Sequence, residues 1–477
     1  MSQATHTTDV VVIGGGPAGY TAAFLAADRG MSVTLVDEAP RPGGVCLYRG
    51  CMPSKALLHA AKVVNEAREA SAFGVSFGSP SIDVDRLRGW KNDVVLKLTG
   101  GLAQLTKQRG ITYLQGKATF ADAQALAVDI KSDAESSVVV RFRHAIIATG
   151  SRPSKPEALS LDDPRVLDST SALELQEIPS SLLVVGGGYI GLELGTVFAA
   201  LGSTVTVVEL TKGLLPGADA DLVRVLERSV GRVAEAIHLE TEVAGLTAAP
   251  GGIEVSLRDR DGGVRTEQFE KVLIAVGRQP NSDGVGLENT AVSRDNHGFI
   301  VVDAQRRTAE SSIFAIGDVS GEPMLAHKGF AEARVAVEAI DGQPSAFVPK
   351  AIPAVVFTDP EVAWCGLTED EARRDGRNVT VSKFPWGASG RALTLSRPEG
   401  FTKLVVEPET EQILGVGIVG VGAGELIAEG VVAVEMEMTV SDMKMSIHPH
   451  PTMSETFGEA AELFLGECTH VYKPKKS

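Results

Sequence analysis

Residues 7–38, TTDVVVIGGGPAGYTAAFLAADRGMSVTLVDE, decide the fold. Val10 to Ile13 is a short apolar run, Gly14-Gly15-Gly16-Pro17-Ala18-Gly19 a tight turn, Tyr20 to Arg29 a helical stretch stopped by Gly30, and Val33 to Val36 a second apolar run ending in Asp37. Strand, glycine turn, helix and strand in that order predict a βαβ unit, whose helix start offers unpaired N–H groups to a phosphate. The pattern returns at residues 181–210, SLLVVGGGYIGLELGTVFAALGSTVTVVEL, 172 positions on. Apolar runs alternating with helical stretches imply parallel sheets.

A GxGxxG pattern alone is weak evidence. With 51 glycines in 477 residues, about 0.6 matches are expected by chance, and there are three: Gly14/Gly16/Gly19, Gly186/Gly188/Gly191 and Gly415/Gly417/Gly420. A ribose-binding acid should follow roughly 20 residues on. Asp37 and Glu209 each lie 23 residues after the first glycine of their motif, whereas Met438 holds that place in the third. The third is therefore read as glycines of a strand and turn. Glu209 accepts a hydrogen bond from a free 2′-OH and repels a 2′-phosphate, so the second site is expected to take NAD over NADP.

The rest of the chain sets limits. The formal net charge of −16 and 5% aromatic content argue against nucleic acid as a partner. No apolar run is long enough to span a membrane, and Met1 to Thr8 has no signal-peptide layout, so a cytoplasmic protein is expected. Four cysteines, Cys46, Cys51, Cys365 and Cys468, are too few for a disulfide-stapled secreted scaffold. Two of them stand close together in RPGGVCLYRGCMPSKALLHAAK, residues 41–62, where Pro53-Ser54-Lys55 is read as opening a helix. Thiols near a helix N-terminus are acidified, and a short loop can bring both sulfurs within bonding reach, although spacing alone does not establish a bond. Arg49 between them either favours a thiolate or faces solvent. Cys365 and Cys468 have no metal-ligand spacing, and the basic tail VYKPKKS is expected to fray.

GGxCxxxGCxPSK behind a dinucleotide fold resembles the flavoprotein disulfide reductase family. The likeness runs through ATG at 148–150, GRQPN at 277–281, AIGD at 315–318, MLAHK at 324–328 and HPHPTMSE at 448–455. It implies an α/β protein with two nested Rossmann-like domains and a C-terminal α+β dimerisation domain. The expected divisions are 1–155 (FAD-binding, carrying the redox cystine), 156–280 (NAD-binding), 281–349 (a central part completing the FAD site) and 350–477 (the interface). It implies FAD on Gly14, Gly16, Gly19, Asp37, Gly44, Lys55, Ala118, Thr149, Gly150 and Asp318, with Met324, Leu325, Ala326 and His327 along the isoalloxazine. NAD is implied on Gly186, Gly188, Gly191, Glu209, Val243 and Gly277.

By the same resemblance Cys46 meets the substrate and Cys51 lies against the flavin as thiolate. Lys55 pairs with Glu193 near flavin N5, and His450, oriented by Glu455, serves as acid/base in the active site of the other subunit of a homodimer. The nearest likeness within the family is to members that oxidise dihydrolipoyl groups with NAD. Their partners are the lipoyl-bearing acyltransferase of a 2-oxo acid dehydrogenase complex or the lipoyl carrier protein of glycine cleavage. Tyr48 and Arg49 depart from the usual Asn and Val of the redox loop. Glutathione-type reductases are disfavoured by Glu209, mercuric reductase by the absence of a C-terminal cysteine pair, and soluble transhydrogenases by the presence of the redox pair. A non-catalytic FAD scaffold is disfavoured because every reactive group is present.

Overall fold

The computed structural model describes residues 4–131 and 137–472; the last five residues of the basic tail lie outside them. A six-stranded sheet collects strands from distant parts of the chain. Thr112–Asp122, Val33–Asp37, Ala4–Ile13, Ser137–Ile147 and Ile313–Ala315 lie side by side in parallel, and Ala125–Ile130 pairs antiparallel with Thr112–Asp122 and Ser137–Ile147. The first strand begins before the apolar run, at Ala4, because the polar residues Thr5 to Thr8 pair with Val139 to Phe142. Long-range pairing here overrides local polarity.

The second parallel sheet has Ala236–His238, Thr204–Val208, Ser181–Val185, Lys271–Ile274 and Val166–Leu167 in that order, with a three-stranded antiparallel sheet beside it. The remaining large sheet is antiparallel: Ala354–Val356, Glu361–Gly366, Ile413–Gly420, Phe401–Val406 and Thr380–Pro385. Helices Ala423–Glu435 and Glu455–Leu465 pack on it. The short helix Val440–Met445 between them was not legible in the apolar pattern; a Thr439/Asp442 capping box starts it.

The two βαβ units repeat contact for contact. Gly14 N donates to Val36 O and Gly186 N to Val208 O, both at 2.8 Å. A Cβ on Gly14 would meet Ala148 O at 2.2 Å, and one on Gly186 would meet Ala275 O at 2.4 Å. A Cβ on Gly19 would fall 1.8 Å from Gly14 O, and one on Gly191 2.2 Å from Gly186 O. The first and last glycines of each motif therefore let backbone touch backbone. The third motif is different. Gly415, Gly417 and Gly420 lie in the antiparallel strand Ile413–Gly420, where added Cβ atoms would meet Leu367 O, Leu222 and the Trp386 ring. They serve sheet packing.

A buried ion cluster joins the second parallel unit to the C-terminal sheet. Lys403, fully buried, reaches Asp219 at 2.5 Å and Asp221 at 2.8 Å, while Lys383 pairs with Asp221 at 2.6 Å. Asp219, Asp221 and Glu369 are close enough together to suggest a cation site, but the lysine ammonium groups fill it. Lys403→Met strands the Asp219 carboxylate without its counter-charge, so a loss of about 3–5 kcal/mol is expected. The urea-unfolding midpoint measures this, and an unchanged midpoint would show that water already solvates the cluster.

Candidate active site

The redox segment is two helices with a break, where a loop was expected. Gly44–Arg49 carries Cys46, and the next helix, Cys51–Glu69, begins at Cys51 itself, two residues before Pro53. Gly50 makes the break: its backbone, at φ −147° and ψ −112°, leaves the helix and packs so that a Cβ would sit 2.9 Å from Val45 O. Cys51 is thus in the first turn, where free N–H groups favour a thiolate.

Both cysteines are free and partly buried. Their side chains are hydrogen-bonded to each other, and the bond divides their acidity. The Cys46 thiol donates to the Cys51 sulfur, which, with the Lys55 charge and the helix-start backbone, brings Cys51 down to about 7 against the effect of burial. The same bond, together with burial, pushes Cys46 well above the ordinary thiol range. Arg49 is not among the groups acting on either sulfur; its charge acts on Asp37.

Lys55 Nζ donates to Glu193 Oε2 at 2.8 Å, and Ser54 Oγ donates to the same oxygen at 3.2 Å. Glu193 is 3% exposed. The fold therefore brings Cys46, Cys51, Lys55 and Glu193 together from two helices of one unit and the motif helix of the other. His450 stands apart. Its Nδ1 is 2.8 Å from Glu455 Oε1, and its side chain is 81% exposed. Glu455 is held below its ordinary value: partial burial opposes this, but the Thr452 amide and the His450 ring outweigh it. Met445 and Ile447 nearby in sequence are exposed as well. His448, its near neighbour in the motif, is mostly buried against Glu429.

The residues at both glycine turns fit a dinucleotide. Helices Pro17–Asp28 and Tyr189–Leu201 have no side-chain cap and no acidic residue in the first turn, unlike Ser169–Ala172, Glu369–Arg374 and Val440–Met445, which start with capping boxes. Their first N–H groups are left for an anion. A Cβ on Gly188 would meet nothing within 4 Å, and one on Gly16 only Gly44, itself at φ +57°. Asp37 accepts from the Gly15 and Ala39 amides at 2.6 and 2.8 Å. Glu209 accepts from Gly187 N at 2.6 Å and from Thr211 N and Oγ1 at 2.7 and 2.8 Å. Each carboxylate retains acceptor capacity for a ribose.

Several further residues are placed as follows. Ala118 is buried in the strand that pairs with Ala125–Ile130. Thr149 and Asn281 bond reciprocally, at 2.7 and 3.0 Å, and Gly150 takes φ +70°. Gly277 O accepts from Ser154 N. Val243 packs its side chain into an apolar cluster, leaving only backbone, at a strand irregularity, to face a ligand. Met324 and Leu325 precede helix Ala326–Ile340, also uncapped, and His327 Nε2 lies 2.7 Å from Pro353 O.

Three supporting residues were missed. Ser151 Oγ donates to Asp318 Oδ2 at 2.5 Å and accepts from Arg278 Nε at 2.8 Å. Glu332, fully buried, accepts from Gly317 N at 2.6 Å and pairs with Arg306 and Lys328. It thereby pins the turn that carries Asp318. The four-residue spacing of Lys328 and Glu332 was the available signal.

The chain belongs to the pyridine nucleotide-disulphide oxidoreductase family, which it matches over residues 8–333, with that family's dimerisation domain over residues 352–461. At the finer level it is similar to proteins named dihydrolipoyl dehydrogenase. That of Vibrio cholerae is 45% identical over 98% of this chain and 97% of its own length. That of Haemophilus influenzae is 46% identical over the same shares, and that of Halobacterium salinarum 44% identical over 97% of each. Among solved structures, LpdA of Mycobacterium tuberculosis has a TM-score of 0.88 at 26% identity, covering 96% of this chain and 99% of that one. The copper(II) complex of the HOCl-induced flavoprotein disulfide reductase RclA of Escherichia coli has a TM-score of 0.86 at 27% identity, covering 97% and 100%.

Cys46→Ala removes the thiol that donates to Cys51. In the flavin-free, reduced protein the Cys51 thiolate, followed by its ultraviolet absorbance, should titrate near 7 in the native chain and about one unit higher in the variant. An unmoved midpoint would assign the acidity to Lys55 instead.

Proposed function

We propose that the chain works as a homodimeric FAD enzyme that oxidises protein-bound dihydrolipoyl groups and reduces NAD. One observation carries this reading: two interacting thiols, one of them acidified, with a partly buried Lys–Glu pair beside them, lie in a fold that offers two phosphate cradles. FAD supplies the chemistry that joins them, since it takes an electron pair from sulfur and gives it up as hydride.

Gly14, Gly16, Gly19, Asp37, Gly44 and Asp318 would hold that group. Gly186, Gly188, Gly191 and Glu209 would hold NAD. With Cys46 and Cys51 joined as a cystine, a substrate thiolate attacks the Cys46 sulfur and Cys51 departs. A low thiol pKa makes a good leaving group, and Cys51 has it. Lys55 stabilises the departing charge, and Glu193 keeps Lys55 in place. His450 takes the proton of the attacking thiol through Nε2, since its Nδ1 is engaged by Glu455.

The exposure of His450 beside exposed Met445 and Ile447 fits its delivery to a second chain, and the dimerisation-domain match supports that arrangement. The lipoyl group would arrive on the acyltransferase of a 2-oxo acid dehydrogenase complex or on the carrier of glycine cleavage. Among the described residues no helix is long and apolar enough to cross a membrane, in keeping with a cytoplasmic site of action.

FAD-loaded enzyme should form NADH from dihydrolipoamide, with far slower turnover from reduced glutathione. The absence of any dihydrolipoamide-dependent NADH would overturn the reading. His450→Gln should cut that rate by roughly 10²–10⁴ while FAD binding is retained. Replacing Glu209 by Ala and Lys212 by Arg should move the preference towards NADP, and an unaltered NAD/NADP ratio would remove Glu209 from cofactor selection.

A further inference from the structure

The Lys55–Glu193 pair has a third member from far along the chain. Phe357 follows strand Ala354–Val356. Its ring lies beneath Lys55, with Nζ 4.4 Å from the centroid, and its backbone N–H donates to Glu193 Oε1 at 3.0 Å. Since Ser54 and Lys55 share the other carboxylate oxygen, Glu193 is fully engaged. The ammonium is held between a carboxylate and an aromatic face.

We propose that Phe357 is a positioning residue of the redox centre, its ring holding the Lys55 ammonium beside the Cys51 sulfur and so helping to set how readily Cys51 stands as thiolate. This rests on the dithiol–flavin reading given above. A lysine ammonium is a point charge on a flexible four-carbon stem, and the Lys55 side chain is 33% exposed, so one ion pair leaves it freedom to swing. An aromatic face within about 6 Å attracts the cation and narrows that freedom. An aliphatic side chain of similar size fills the space without the attraction.

The other titratable groups acting around Cys51 are Cys46 on the preceding short helix, Glu193 and Tyr189 on helix Tyr189–Leu201, and Tyr20 on the first helix. The N–H that holds Glu193 is backbone and survives every substitution at 357 but proline, and the packing of Phe357 on the apolar cluster with Leu57, Leu58 and Leu192 is kept in part by Leu and in full by Tyr.

The test uses the FAD-loaded enzyme reduced by two electrons. The long-wavelength absorption of a thiolate lying against flavin, followed against pH, reports the Cys51 midpoint. Phe357→Leu should raise that midpoint by about half a unit, a threefold loss of thiolate at fixed pH, and Phe357→Tyr should restore it. A Leu variant that titrates like the native enzyme, or a Tyr variant displaced as far as Leu, overturns the proposal. If the Leu variant does not fold, phenylalanines carrying one and then three ring fluorines at position 357 weaken the negative face at nearly constant shape. The midpoint should climb with each step, and a flat series overturns the proposal equally. Absence of the band from the native enzyme would defeat the underlying dithiol–flavin reading itself, which is a separate result.

Discussion

One carboxylate, Glu193, sits out of water, and the geometry of the redox cleft depends on its being satisfied. A buried carboxylate is costly unless both oxygens are bonded and its charge is matched. Its partners come from two other stretches, Ser54 and Lys55 on the redox helix and the Phe357 amide at the edge of the C-terminal sheet, while Glu193 itself is on the second motif helix. Satisfying this one group forces the three units to meet at a single point, and that point lies beside the sulfur pair. The Lys403 cluster makes the same demand on the far side of the second unit. Two buried charge clusters thus limit how the parts can slide, where apolar packing alone would tolerate many offsets.

Within each βαβ unit the constraint is steric. The first motif glycine packs on the carbonyl of a neighbouring strand, and the last packs on the first. This brings the helix start down onto the sheet edge and leaves its N–H groups without a side-chain cap. A capping Asp or Thr, as at Asp168, Thr368 and Thr439, would satisfy those groups and repel or exclude a phosphate. Leaving them unpaired reserves that interaction for a ligand. Asp37 and Glu209 then accept from the amides of Gly15 and Gly187, so the ribose-facing acid and the phosphate cradle hold each other in place.

This is why so much was legible before any coordinates. Motif, strand and acid are local in sequence, and their spacing follows from strand and helix lengths. The same locality exposed the third glycine motif as sheet packing, since Met438 stands where the acid should be. The redox pair was legible as a pair, but not as residues of two successive helices with Cys51 opening the second, because a break that depends on Gly50 touching Val45 leaves no periodic trace. Ser151, Arg278 and Glu332 were missed for a related reason. Ser151 bonds Asp318, and Arg278 bonds Ser151, across long stretches of chain, where ordinary residue types have no pattern to read, and Glu332 was marked only by its four-residue spacing from Lys328. Phe357 is the extreme case: one apolar residue after a strand, made functional only by the cation placed over it.

The placing of His450 follows from the same physics. A base that must meet a thiol substrate needs access, yet its orienting carboxylate must be fixed. Glu455 achieves this from the start of its helix, taking the Thr452 amide on one oxygen and the His450 ring on the other. The dyad is thereby rigid at its foot and open at Nε2. Within one chain Lys55 and Glu193 act on the sulfur pair, while His450 lies exposed beside Glu455. A single chain therefore carries a leaving thiolate with its counter-ion and, on a different surface, a poised base. On the proposed reading neither half completes a proton-coupled thiol exchange alone, so pairing of two chains would be a chemical requirement of the arrangement.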